Sequence, residues 1–290
     1  MVTMKDVAWI FMYILRAMNR DRRAGARHWG LGLIVPVQDP TPFSPFSPAE
    51  WPGSLVAVAE AGYTAAELAL TDPAPLESEE LARAFASARL RFSSITTGQA
   101  ATKEGLSLSS PDEGVRRRAV ERIQAHVRLA ARFEAVVIVG LLCGVTGNPD
   151  LLVESLRECA RSGPAVRLAL EPLNRNESGL LNTVADALTV VHQVGEENLG
   201  LLFDTFHAQI EEPDIGDAIR AAGDRLFHVH LADSNRWPPG HGHFDFAPVW
   251  DALEAIGYRG NLVLECFVKP DPPAWLAAGK WIQASWSTER

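Results

Sequence analysis

The stretch LALEPLNRNES, residues 168–178, decides how the chain is read. Leu168, Ala169 and Leu170 make an apolar run that ends on a carboxylate, Glu171, with Pro172 directly after it. Beyond Leu173 come Asn174, Arg175, Asn176 and Glu177. A short run that is apolar on both faces reads as a strand of a parallel sheet covered by helices. Two acids six residues apart at its end put charge where the dry core gives way to solvent.

The same pattern recurs along the chain. Strands are expected at 31–36, 64–70, 90–96, 135–141, 166–171, 199–205, 226–232 and 261–267. Amphipathic stretches alternate with them at 49–62, 77–88, 149–162, 181–194, 214–223, 247–256 and within 272–286. Another helix is expected from SPDE, with Ser110 as N-cap, Pro111 at the first helical position and Glu113 closing a capping box, running to about Phe133. The longer loops are placed at 97–109 and 232–245. Eight strand–helix units predict an α/β fold closed as a (β/α)₈ TIM barrel. The rival, an open doubly wound sheet, usually carries a glycine-rich turn after its first strand, and PVQDPTPFSP has no glycine.

The chain has 290 residues, 47% hydrophobic and 22% charged, with a net charge of −9. An acidic protein is a poor general partner for nucleic acid. Cys143, Cys159 and Cys266 are an odd number without CxxC spacing, and read as reduced thiols of a cytoplasmic protein. The apolar run VAWIFMYIL, residues 7–15, is too short for a membrane span of about 20 residues. Asp6 before it and the arginine-rich stretch after it argue against a signal peptide. Residues 1–29 are therefore set apart as an extension, with Met18 an alternative start, and 30–290 are read as a single catalytic domain.

Barrel active sites lie at the C-terminal ends of the strands. The fifth expected strand ends on Glu171, the sixth on Asp204, the seventh carries His228 and His230, and the eighth reaches Glu265. Any one acid at a strand end is more often a helix cap or a solvated loop residue, and His228 alone reads better as a packed neighbour. Four suitable ligands on four successive strands are harder to dismiss. Their oxygen-rich set suits Mn²⁺, Mg²⁺ or Co²⁺.

The motifs EPLNRNE, DTFH and HVHLADSNRWPPGHGHFDF, with the glutamate of the last strand, resemble the sugar isomerase/epimerase group of xylose isomerase-like TIM barrels, and within it the ketose 3-epimerases. The resemblance covers about 31–270. It implies one divalent ion, Mn²⁺ by preference, held by Glu171, Asp204, His230 and Glu265, and substrate contacts from Glu177, His207 and Arg236. The sequence departs from the family pattern at Asn176, where an aromatic is common, and at Cys266, where proline is common. Asp233 keeps an acid often found three residues after the second histidine.

The implied reaction is epimerisation of a free ketose at C3 through a cis-enediolate, with Glu171 and Glu265 as acid and base on opposite faces. Divalent charge makes removal of a proton beside a ketone feasible. The same site could instead serve an aldose–ketose isomerase of the hydroxypyruvate type, or a dehydratase or lyase on a keto sugar or keto-cyclitol. A nuclease of the related zinc type would need more histidines near the strand ends, and a metal-free sugar-binding protein fits poorly with four ligands present. No phosphate-gripping glycine turn is evident, which favours an unphosphorylated sugar. Barrels of this group often pair, which leaves a homo-oligomer open.

Overall fold

The computed structural model describes residues 29–287, so the apolar run 7–15 and the arginine-rich stretch after it lie outside the described residues. Eight parallel strands close into a barrel in sequence order. They are β1 (Gly30–Pro36), β2 (Ala65–Ala69), β3 (Arg91–Thr96), β4 (Val136–Val139), β5 (Leu168–Leu170), β6 (Leu199–Asp204), β7 (Leu226–Leu231) and β8 (Asn261–Leu264). Between and after them run α1 (Trp51–Glu60), α2 (Ser78–Ala88), α3 (Gly98–Glu104), α4 (Glu113–Ala130), α5 (Pro149–Arg161), α6 (Val184–Val194), α7 (Thr205–Glu211), α8 (Ile215–Ala222), α9 (Ala247–Ala255) and α10 (Pro272–Ser287). Alanine, valine, leucine and isoleucine dominate the strands and are buried on both faces, because the interior packs on itself and the helices cover the outside.

The expected strands are all present, and several stop short of the expected C-terminal residue. Glu171 and Glu265 stand one residue past β5 and β8, yet their N–H groups still donate to Val139 O (3.1 Å) and Leu231 O (3.2 Å). Their backbones are thus fixed by the sheet while their side chains are free to turn into the mouth. Trp29, the last residue of the stretch set apart in the sequence, is buried. Its ring meets Trp250 and Trp286, and its Nε1 donates to Tyr258 O at 3.1 Å.

Three local expectations are corrected. The N-cap of α4 is Asp112, whose carboxylate accepts from Val115 N, while Ser110 instead accepts from Asp112 N in the turn before it. The region after β3 is not all loop, since it holds α3. Two helices, α7 and α8, follow β6 where one was expected. Asp204 caps α7, its Oδ1 accepting from Phe206 N at 2.6 Å.

Two register shifts interrupt the barrel. Ser93 is an extra residue between the pairs Ala66–Phe92 and Glu67–Ser94. Phe227 is an extra residue between the pairs Leu201–Leu226 and Leu202–His228. The Ser93 hydroxyl donates to Ala66 O at 3.0 Å, so the irregularity leaves that carbonyl paired. Such bulges re-aim side chains near functional sites. Here they bring Ser94 opposite Glu67, and His230 opposite Asp204.

Candidate active site

The C-terminal mouth of the barrel gathers Glu171, Asp204, His230 and Glu265, with one ligand atom from each lying within 4.8 Å of the others. All four are buried. His230 Nδ1 is 3.7 Å from Glu171 Oε1 and 3.7 Å from Glu265 Oε2. Glu171 Oε1, Asp204 Oδ2 and His230 Nδ1 have no hydrogen-bond partner. Asp204 thus does both things its position allowed, since one oxygen caps α7 and the other is left bare in the mouth. Three carboxylates and an imidazole nitrogen with unmatched atoms turned together make a possible metal site, and their chemistry suits a hard divalent cation.

The electrostatics agree. Burial, reinforced by the charge of Glu265, raises the carboxyl of Glu171 above its ordinary range despite the pull of His230. Burial and Glu265 likewise raise Asp204 against the pull of His207. Burial would raise Glu265 too, but His230 and Arg236 outweigh it and bring it to about 2. The imidazole of His230, which burial alone would lower, is raised well above the ordinary histidine value by Glu67, Glu265 and Glu171. Crowded negative charge is what a bound cation would relieve.

The three residues expected to meet a substrate converge on the same mouth. Arg236 Nη1 donates to Glu177 Oε1 (2.9 Å) and Nη2 to Glu265 Oε2 (3.1 Å). Its guanidinium lies 4.6 Å from the Phe43 ring centre and 4.8 Å from that of Phe206, so it is stacked as well as paired. Arg236 adopts φ 58°, and its carbonyl accepts from Phe267 N at 2.7 Å. Asp233 holds this loop, its carboxylate accepting from the N–H groups of Ser234, Gly240 and Phe244.

His207 is positioned by the segment after β5. Asn174 N–H donates to His207 Nδ1 (3.2 Å), and Asn174 Nδ2 is 2.7 Å from the same atom. A backbone N–H can only donate, so Nδ1 is the acceptor and Nε2 carries the proton. That Nε2 is buried without a partner, 3.8 Å from Asp204 Oδ2 and 4.0 Å from Glu171 Oε1. Arg175 ties the segment to α7 through a paired contact with Glu211 (2.7 and 2.9 Å). A Cβ at Gly140, just past β4, would meet Glu171 Oε2, so any side chain there would shift that carboxylate.

Above the acids opens a cavity of about 300 Å³. Glu171, Glu177, His207, Arg236 and Glu265 line it from the β5–β8 half, while Ile34, Ala69 and Thr96 line it from the β1–β3 strands, with Phe43 and Leu141 from the loops. Among the described residues no helix is long and apolar enough to cross a membrane, and the three cysteines are free and buried.

Sequence reasoning missed Glu67. It is fully buried in β2, and its Oε2 accepts from Ser94 Oγ (2.6 Å) and lies 3.0 Å from His228 Nε2 and 3.2 Å from His230 Nε2. Burial would raise its carboxyl, but the two histidines outweigh it and hold it below the usual carboxylate range. His228, one layer deeper than His230, faces this carboxylate. The available signal was an acid in the middle of TAAELAL, a strand otherwise fit only for a core.

Fold and site together define an α/β barrel whose candidate ligands gather at the mouth from the last four strands. A family model described as xylose isomerase-like TIM barrel matches residues 55–285. The D-psicose 3-epimerase of Ruminiclostridium cellulolyticum is 34% identical over 226 residues, 73% of this chain and 76% of that protein. The L-ribulose 3-epimerase of Mesorhizobium japonicum is 34% identical over 226 residues, 74% of each chain. The solved structure of D-psicose 3-epimerase with D-tagatose from Clostridium cellulolyticum matches with a TM-score of 0.71 at 27% identity, covering 90% of this chain and 93% of that one. The chain belongs to the xylose isomerase-like TIM barrel family, and within it is an enzyme of the isomerase class, an epimerase.

Proposed function

We propose that the protein is a divalent-metal-dependent ketose 3-epimerase acting on a free ketose, and that the barrel is its whole catalytic domain. The observation that carries this is the convergence of Glu171 and Glu265 on His230 Nδ1 at the base of the cavity, each 3.7 Å away. An ion held by Glu171, Asp204, His230 and Glu265, Mn²⁺ by preference and Mg²⁺ or Co²⁺ otherwise, would supply positive charge beside the oxygens on which negative charge develops.

The chain's own groups do the rest. One glutamate takes the proton from C3, and the electron pair of that C–H bond moves into the neighbouring carbonyl to give a cis-enediolate. The other glutamate delivers a proton to the opposite face of C3, so the configuration inverts and no atom is gained or lost. Positioned proton transfer of this kind contributes about 10²–10⁴-fold. His207, protonated at Nε2, donates to a substrate oxygen, and Arg236 and Glu177 fix another at the rim. Arg236 also donates to Glu265 Oε2 at 3.1 Å, a contact that Glu171 lacks, so the two glutamates meet the substrate in different surroundings.

A panel of free ketoses and keto-cyclitols, incubated with the enzyme and Mn²⁺ and resolved by chromatography, tests the reading. The expected product is the C3 epimer of a ketose. An aldose product, or one lighter by a molecule of water, would replace the epimerase reading with an isomerase or a dehydratase.

A further inference from the structure

We propose that Glu67 is a positioning residue for the candidate metal site, acting through His230, and that His228 and Ser94 hold Glu67 in place. The inference rests on the reading above only in that an ion is bound. Glu67 and His230 belong to β2 and β7, which β8 and β1 separate in the closed ring, so the contact spans the barrel interior. The Glu67 side chain is fully buried, with three partners on Oε2 and none on Oε1.

A half-satisfied carboxylate in a dry core is an expensive way to gain stability, because well-packed apolar side chains commonly do as well or better in such places. Its geometry has another use. A neutral imidazole carries its proton on one nitrogen and a lone pair on the other. With an ion bound beside Nδ1 the ring holds a single proton, and Nε2, 3.2 Å from Glu67 Oε2, is where it stays. Nδ1, turned toward Glu171 and Glu265, then keeps its lone pair. The opposite tautomer would aim an N–H at the ion and remove a ligand. A carboxylate behind a ligating imidazole also fixes ring rotation and raises ligand basicity. The two register shifts serve the same arrangement, since without the extra residues Ser93 and Phe227 neither Ser94 nor His230 would stand at its present level in the barrel. The His228 ring, edge-on to His230 at 5.2 Å, closes the remaining side.

The test is calorimetric titration of the metal-stripped full chain with Mn²⁺ and Co²⁺, for wild type, Glu67→Leu and Glu67→Gln. Glu67→Leu should bind about 10–100-fold more weakly. Glu67→Gln, whose amide oxygen is a weaker acceptor, should lose about a few-fold. The metal-free Glu67→Leu protein should melt no lower than wild type. Nitrogen-15 NMR of the Mg²⁺-loaded proteins should find His230 protonated at Nε2 in wild type and Glu67→Gln, and a different ring state in Glu67→Leu. Wild-type affinity in Glu67→Leu would overturn the proposal. So would losses in both variants that track a lowered melting temperature of the metal-free protein, since Glu67 would then be holding the fold. Should Glu67→Leu fail to fold, unchanged affinity in Glu67→Gln would overturn it too. A wild type that binds no ion sinks this inference together with the metal-dependent reading. A wild type that binds an ion but epimerises nothing sinks the reaction alone.

Discussion

At Gly140 the absence of a side chain sets the geometry of Glu171, because any Cβ would displace the carboxylate. Gly140→Ala should therefore lower kcat/KM by about 10²-fold, the usual result of shifting a reacting group by an ångström. Steady-state kinetics check this, and melting temperatures check that the fold is kept. His230→Ala should lose metal affinity sharply and His228→Ala less, because only His230 turns a bare nitrogen toward the acids while His228 faces Glu67. Metal titrations separate the two, and equal losses would contradict the assignment. Glu171, Asp204 and Glu265 were legible in the sequence because each closes an apolar run that signals a strand end, while His230 as the fourth ligand came from the family resemblance. Glu67 was not legible as a partner of His230, because nothing in one sequence says which residues face each other across a barrel. The pairing of Asn174 with His207 was hidden for the same reason.

Among the elements, the turn after β7 brings Arg236 to the cavity on an irregular backbone. Its integrity depends on Asp233, buried and accepting from Ser234, Gly240 and Phe244. Burial would raise this carboxyl, but the N–H groups prevail and hold it below its ordinary value of 3.8. A depressed folded-state pKa contributes stability that is fully present above the unfolded value and lost as pH falls through the folded one. Asp233→Asn should therefore destabilise by about 1–3 kcal/mol at neutral pH, with the gap to wild type closing in acid. Thermal melts across that range measure it, and a gap that stays constant would contradict the account. The same mutation should raise KM, because Arg236 hangs from this turn. The sequence marked the region as one of the two longer loops. It did not mark α3 and α7, each seven residues long, because fewer than two turns carry too little periodicity to stand out. The start of α4 was misplaced by two residues because Ser110 and Asp112 are both competent caps, and only the folded chain chooses between them.

For the whole molecule, eight repeats of one pattern made the closed barrel readable, while its irregularities had no sequence signature, since Ser93 and Phe227 look like ordinary strand residues. An ion that binds the native state alone stabilises it by mass action, by about 2.7 kcal/mol at a hundred times its Kd. Adding Mn²⁺ to the stripped protein should raise Tm and restore activity, and chelation should reverse both. Full activity after chelation would contradict metal dependence. Whether the two glutamates carry the proton is decided by turnover in D₂O, with the product examined by NMR and mass spectrometry. If Glu171 and Glu265 remove and return the proton on opposite faces, the returning proton comes from a carboxylate that exchanges with solvent. The product should then carry one deuterium at C3 with its carbon skeleton and oxygen count unchanged, and Glu171→Gln and Glu265→Gln should each lose at least about 10²–10⁴-fold in rate. An epimerised product with hydrogen still at C3 would contradict it.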